Sequence, residues 1–221
     1  MREAKEATFM KDVVETFRLL ISPRMLYCMP LIIWSALSPA AFTGSFVPLM
    51  NKTMEIDHKD WNDNKKLAMS LFAMIPLGVG EIIGALVFGK ISDKFGPKTS
   101  LKFIMVITVV AFAILFATIA TYRFNALTFV MTFAWGLQDA TIQNLMNCIL
   151  ASEFDSKITP FSVYKFSQSL FIFAFLVVAS KITEQTQFYI YFSCMAAWSI
   201  LSLSMMLCFK YKKESATNVV E

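Results

Sequence analysis

Apolar residues in this chain fall in continuous blocks of about twenty, with short polar stretches between them. The blocks cover approximately residues 25–50, 67–90, 101–121, 126–150, 161–180 and 188–209. The hydrocarbon core of a bilayer is about 30 Å thick, and about 20 apolar residues in a helix cross it. Backbone N–H and C=O groups find no water there, so each block must satisfy its own hydrogen bonds as a helix. A membrane barrel would instead show short segments of alternating polarity. The pattern predicts an all-α membrane protein with six transmembrane helices.

The first 24 residues follow a different pattern. Phe9, Val13, Phe17 and Leu20 recur at helical spacing, with Met10, Val14 and Ile21 beside them. Lys5, Glu6, Lys11, Asp12, Glu15 and Arg18 interrupt the apolar positions, which excludes the core of a signal peptide. The acids also set the segment apart from an amphipathic mitochondrial presequence. An amphipathic helix is expected, lying on the membrane surface or packed against another protein segment. The expected organisation is an amphipathic cytoplasmic-side segment over 1–24, a membrane domain over 25–209 and a polar tail over 210–221.

Composition sharpens this picture. Hydrophobic residues make up 57% of the chain and charged residues 16%, where a soluble domain carries about 25% charged. The formal charge of +4 reflects how basic residues are distributed, and does not point to nucleic acid. Arg2, Lys5, Lys11, Arg18 and Arg24 precede the first span; Lys90, Lys94, Lys98 and Lys102 cluster between the second and third. Lys157, Lys210, Lys212 and Lys213 fall on the same side. The opposite side holds fewer: Lys52, Lys59, Lys65, Lys66, Arg123 and Lys181, four of them beside Glu55, Asp57, Asp60 and Asp63. Lys and Arg favour the cytoplasmic side of short loops. Both termini are therefore expected there, or on the matrix side of a mitochondrial membrane. Asn51-Lys52-Thr53 is a glycosylation sequon on the opposite side, at a helix end where enzyme access is poor. Cys28, Cys148, Cys194 and Cys208 all fall within spans, which predicts buried thiols and neither a disulfide framework nor a metal cluster.

An ionisable side chain inside a span costs about 2.5–3.5 kcal/mol on insertion scales and normally faces protein or water. The third and sixth spans carry almost no such groups and are expected to face lipid. The fourth carries Gln138, Asp139, Gln143, Asn144 and Asn147. At about 100° per residue, Asp139, Gln143 and Asn147 share one stripe, with Gly136 and Ala140 among them. Such a stripe either lines a water-filled cavity or ties helices together by hydrogen bonds. The second span places Gly80, Glu81 and Gly84 on one side, a spacing that permits close helix approach and gives Glu81 a partner. The fifth places Ser162, Lys165, Gln168 and Ser169 on one face. Lys165 is positioned either to pair with Glu81 or Asp139, or to snorkel to the nearby membrane surface. Pro30, Pro39 and Pro48 predict bends in the first span.

Between the second and third spans the chain reads Gly89-Lys90-Ile91-Ser92-Asp93-Lys94-Phe95-Gly96-Pro97-Lys98. Gly89, Asp93, Lys94, Gly96 and Lys98 match the signature loop of major facilitator superfamily (MFS) transporters, with Pro97 where a basic residue is usual. The chain resembles one six-helix half of such a transporter. The resemblance implies that the first and fourth helices line a cavity, the second and fifth flank it, and the third and sixth face lipid. The polarity of the six blocks follows the same order. More narrowly, Phe17-Arg18-Leu19-Leu20, Pro23-Arg24-Met25-Leu26, Gly78-Val79-Gly80-Glu81-Ile82-Ile83-Gly84 and Gly136-Leu137-Gln138-Asp139 resemble the carboxy-terminal half of the Unc-type ion channel regulatory proteins. In the superfamily the signature aspartate meets a helix amino-terminus of the opposite half, so the resemblance implies a partner for Asp93 outside these six helices.

Three functions fit these expectations: half of a solute transporter working with a second six-helix half or as a homodimer; a regulatory protein that binds a channel or receptor; or an accessory subunit of a large membrane complex such as a respiratory assembly. Catalysis is not expected. His58 is the one histidine and lies in an acidic loop, so no Ser-His-Asp or histidine metal site can form. Phosphate-loop and dinucleotide fingerprints are missing, and no cofactor is expected. An acid pair of Glu81 and Asp139 is the one catalytic arrangement left open.

Overall fold

The computed structural model describes residues 14–154, 156 and 158–211, leaving aside the side chains of Asp93 and Pro97. The described residues contain helices and no strand. Residues 14–20 are helical. Helices α1 (Pro23–Ala41), a π-helical turn (Phe42–Phe46), α2 (Val47–Asp57), α3 (Asp63–Phe72), α4 (Ile75–Thr121), α5 (Ala126–Glu153), α6 (Thr159–Ala179) and α7 (Gln185–Leu207) follow.

Local sequence sets the helix ends. The Ser22 side chain accepts from Met25 N ahead of Pro23, and Asn62 accepts from Lys65 N at the start of α3. Each satisfies a backbone donor that the helix itself leaves unpaired. Capping boxes start α5 (Asn125 with Thr128) and α7 (Glu184 with Gln187). Tyr122, at φ 45°, turns the chain out of α4.

Five segments are long and apolar enough to cross a membrane: Pro23–Asp57, Asp63–Ser92, Lys98–Thr121, Thr159–Ala179 and Gln185–Leu207. The sequence led us to expect six. The remaining long helix, α5, has 28 residues, about 42 Å at 1.5 Å per residue. Its amides and Asp139 dilute its apolar content, while Gln138, Asp139, Trp135 and Met146 on it are buried by the other helices. The expected loop at 89–98 is also different. The helix continues through most of it, broken at Gly96, whose φ of 73° and ψ of 177° suit glycine alone.

Helix α1 forms the centre of the bundle and packs against α5, α6 and α7. Helix α4 packs along α5, and its later half meets α7. At this crossing Trp34, Phe46, Phe112, Trp135 and Phe192 form an aromatic cluster with centroids 5.2–6.4 Å apart. The outward residues of α4, among them Val106, Val109 and Val110, are exposed and apolar, as are Ile190, Ile200 and Leu201 of α7. Val14, Phe17 and Ile21 are likewise exposed at the edge of the bundle. The remainder of the expected amphipathic segment, residues 1–13, lies outside the described residues, as does most of the tail.

Of the four thiols, only Cys28 is buried; Cys148, Cys194 and Cys208 are exposed, and none of the four is in a disulfide. The expectation of buried thiols fails because a thiol is a small, weakly polar group that an apolar solvent tolerates. The sequon also lies inside a helix: Asn51 Oδ1 accepts from Ser70 Oγ at 2.8 Å, and Thr53 is buried.

Candidate functional site: the polar interior of α1, α5 and α6

The polar interior begins with a missing donor. Pro39 has no N–H, so it cannot make the helical bond back to the carbonyl of Ser35. In an interior without water that carbonyl needs another partner. Gln143 Nε2 of α5 reaches Ser35 O at 2.9 Å, and Gln168 Nε2 of α6 reaches it at 3.0 Å. The two amides also bond each other, Gln168 Nε2 to Gln143 Oε1 at 2.9 Å. Tyr164 OH donates to Gln143 Oε1 at 2.5 Å. Three helices thus share one backbone carbonyl.

A second cluster lies one turn further along α1. Trp135 Nε1 donates to Ser38 O at 3.2 Å, and Gln138 Nε2 to Ser38 Oγ at 3.4 Å. The Asp139 carboxylate lies beside Ser38 and Gln143, within electrostatic reach of Glu81 and Lys165. Asp139 is 6% exposed, yet its Oδ1 has no hydrogen-bond partner, and neither has Oε1 of the fully buried Gln138. These are two acceptors held out of water without a donor.

The other expected site residues divide as follows. Asn147 is half-buried, one turn beyond Gln143. Glu81 is also half-buried, and the partner expected for it is missing: among the described residues it forms no hydrogen bond or ion pair. Lys165 is exposed and pairs with neither acid; its ammonium donates to Gln168 Oε1 at 2.9 Å and sits 4.8 Å from the centre of the Tyr164 ring. That contact lets Lys165 stay at the aqueous edge while satisfying an amide of the interior.

Glycines set the spacing of α4 and α5. A Cβ on Gly80 would lie 2.2 Å from Phe133 O, on Gly84 2.5 Å from Leu137 O, and on Gly136 2.0 Å from Leu77 O. The backbones touch directly, and only this approach brings Glu81 near Asp139. In the signature segment, Gly89 is helical, Lys94 and Lys98 are exposed, and Ser100 Oγ donates to Gly96 O at 2.8 Å.

Sequence reasoning passed over one element here. Arg24, at the start of α1, pairs with Glu153 at the end of α5, a side chain 1% exposed. The Arg24 guanidinium also lies 5.4 Å from the centre of the Phe209 ring. Opposite charges at facing helix ends were visible in the sequence, but only the bundle topology pairs them.

Long apolar helices whose polar groups turn inward define a multi-pass integral membrane protein. The family model of the Major Facilitator Superfamily matches residues 2–174, and the chain belongs to that superfamily. Comparison with curated proteins and with solved structures gave no significant match.

Proposed function

We propose that these helices form one six-helix half of a transporter-type assembly, with α5 as the sixth crossing, and that the working unit includes a second half. The unpartnered carboxylate oxygen of buried Asp139 carries this reading. A charged group at that depth is costly unless it serves a water-filled path or a ligand. In this reading Asp139, Gln138, Glu81 and Asn147 line the path. Gln143, Gln168 and Lys165 brace its wall, and the segment Gly89, Asp93, Lys94, Gly96 and Lys98 works at the cytoplasmic end against the second half. The chemistry is solute movement or its regulation, as in the Unc-type resemblance, and not catalysis.

The second reading is an accessory subunit of a larger membrane complex, favoured by the many hydrogen bonds that Gln143 and Gln168 spend on holding helices together. Two measurements test the choice. A cysteine placed at Asn147, with the native thiols replaced, should react with a membrane-impermeant maleimide in sealed vesicles. Protection from both sides would refute a water-filled path. In mild detergent, a particle the size of two six-helix halves supports transport, and stable recovery in one large complex supports the accessory role.

A further inference from the structure

Lys90, Lys94, Lys98 and Lys102 recur at every fourth position across the break at Gly96, and all four are exposed. From Ile82 to Thr121 the sequence offers one acid, Asp93. At least three of these positive charges therefore have no acid in their own segment to balance them. The neighbouring helix does not supply one. Gly80 meets Phe133 and Gly84 meets Ala140, so α5 runs alongside the first arm of α4 in the same direction. Its acid at that end, Glu153, is engaged by Arg24.

The two arms fix where these lysines stand relative to the bilayer. One span ends at Ser92 and the next begins at Lys98, so the chain turns at a membrane surface. At helical spacing, Lys90 continues the exposed apolar stripe of Val79, Ile82, Ile83 and Leu86. Lys98 and Lys102 continue the exposed stripe of Val106, Val109 and Val110 in the same way. Each ammonium thus stands where an apolar face gives way to headgroups. Phe95 is exposed between the two lysine pairs, with the Lys94 ammonium 5.3 Å from the centre of its ring. An aromatic ring suits that level of the membrane.

Charge selects the occupant. A lysine near a membrane surface is worth about fivefold in affinity for anionic lipid, and three unbalanced ones compound to about a hundredfold. A zwitterionic headgroup brings no net charge to balance them. We propose that this turn binds the headgroup of one anionic phospholipid of its own leaflet. The phosphate sits between the Lys90–Lys94 and Lys98–Lys102 pairs, and the acyl chains run along the two apolar stripes. The site does not depend on a path around Asp139.

The test places the full chain in nanodiscs of equal phosphatidylglycerol and phosphatidylcholine with identical acyl chains, and counts the lipids retained on release by native mass spectrometry. The parent should retain phosphatidylglycerol over phosphatidylcholine by at least about tenfold. Combining Lys90→Gln, Lys94→Gln, Lys98→Gln and Lys102→Gln should abolish the preference. Combining Lys90→Arg, Lys94→Arg, Lys98→Arg and Lys102→Arg should keep it. Combining Lys52→Gln, Lys59→Gln, Lys65→Gln and Lys66→Gln removes the same charge from the opposite end and should also keep it. Equal retention of the two lipids by the parent overturns the proposal, whether or not any variant folds. So does an equal loss of preference in the two glutamine variants, which would reduce it to net charge, or amine-reactive crosslinks from Lys90 and Lys102 to a second polypeptide in place of lipid binding.

Discussion

Replacing Gly136 by alanine tests the contact that sets the spacing of α4 and α5. The added Cβ would fall 2.0 Å from Leu77 O. Ordinary contact begins near 3.4 Å, so the helices must separate by about 1.4 Å over a stretch that also contains Gly80 and Gly84. Overpacking of this kind costs about 1–3 kcal/mol, and the atom met is backbone, which cannot swing aside. Alanine also favours helix over glycine by about 1 kcal/mol. That gain applies equally to Gly78→Ala, where a Cβ meets nothing within 4 Å. The two variants should therefore differ by about 1–3 kcal/mol, Gly136→Ala being the less stable and Gly78→Ala equal to or above the parent. Reversible unfolding in mixed detergent micelles, followed by circular dichroism, measures the difference. Equal midpoints for the two variants would refute the argument that α4 and α5 touch backbone to backbone.

Other predictions follow from the shared carbonyl and from both ends of the bundle. Gln168→Leu should cost about 1 kcal/mol by the same unfolding assay, and adding Gln143→Leu should cost more than the first change because Ser35 O then has no donor; Pro39→Ala, which restores the backbone N–H, should relieve most of the double variant's loss. Arg24→Met should destabilise the bundle by about 3 kcal/mol, more than Glu153→Gln, because the acid is the buried partner; a midpoint unchanged by Arg24→Met would remove the pair from the account of stability. Asp57 Oδ2 accepts from Phe124 N at 2.9 Å, tying the end of α2 to the turn before α5. Asp57→Ala should speed hydrogen exchange at the Phe124 amide by about tenfold, the equivalent of one ordinary hydrogen bond, with amides of the α1 core unchanged.

Much of the fold could be read from the residues because lipid imposes a simple rule on backbone polar groups. Apolar blocks marked the helices, and the capping residues Ser22, Asn62 and Asn125 stand at their starts. Of the stripe Asp139, Gln143 and Asn147, the structure buries Asp139 and leaves Gln143 and Asn147 half-buried. Its division of labour was not legible. That Gln143 binds Ser35 O while Asp139 Oδ1 is left without a donor depends on Pro39 lying opposite the stripe, a pairing across about a hundred residues that periodicity cannot show. The same holds for Lys165, whose choice of Gln168 over either acid follows from side-chain reach. The exposed cysteines went unforeseen because a span's sequence alone does not say which side meets lipid.

From Ile75 to Thr121 the chain has a single point of articulation, Gly96, whose backbone angles other residues rarely adopt. A longer linker would let the two arms of α4 drift independently. The break at Gly96 instead fixes the angle between the arm that carries Glu81 and packs along α5 and the arm that meets α7.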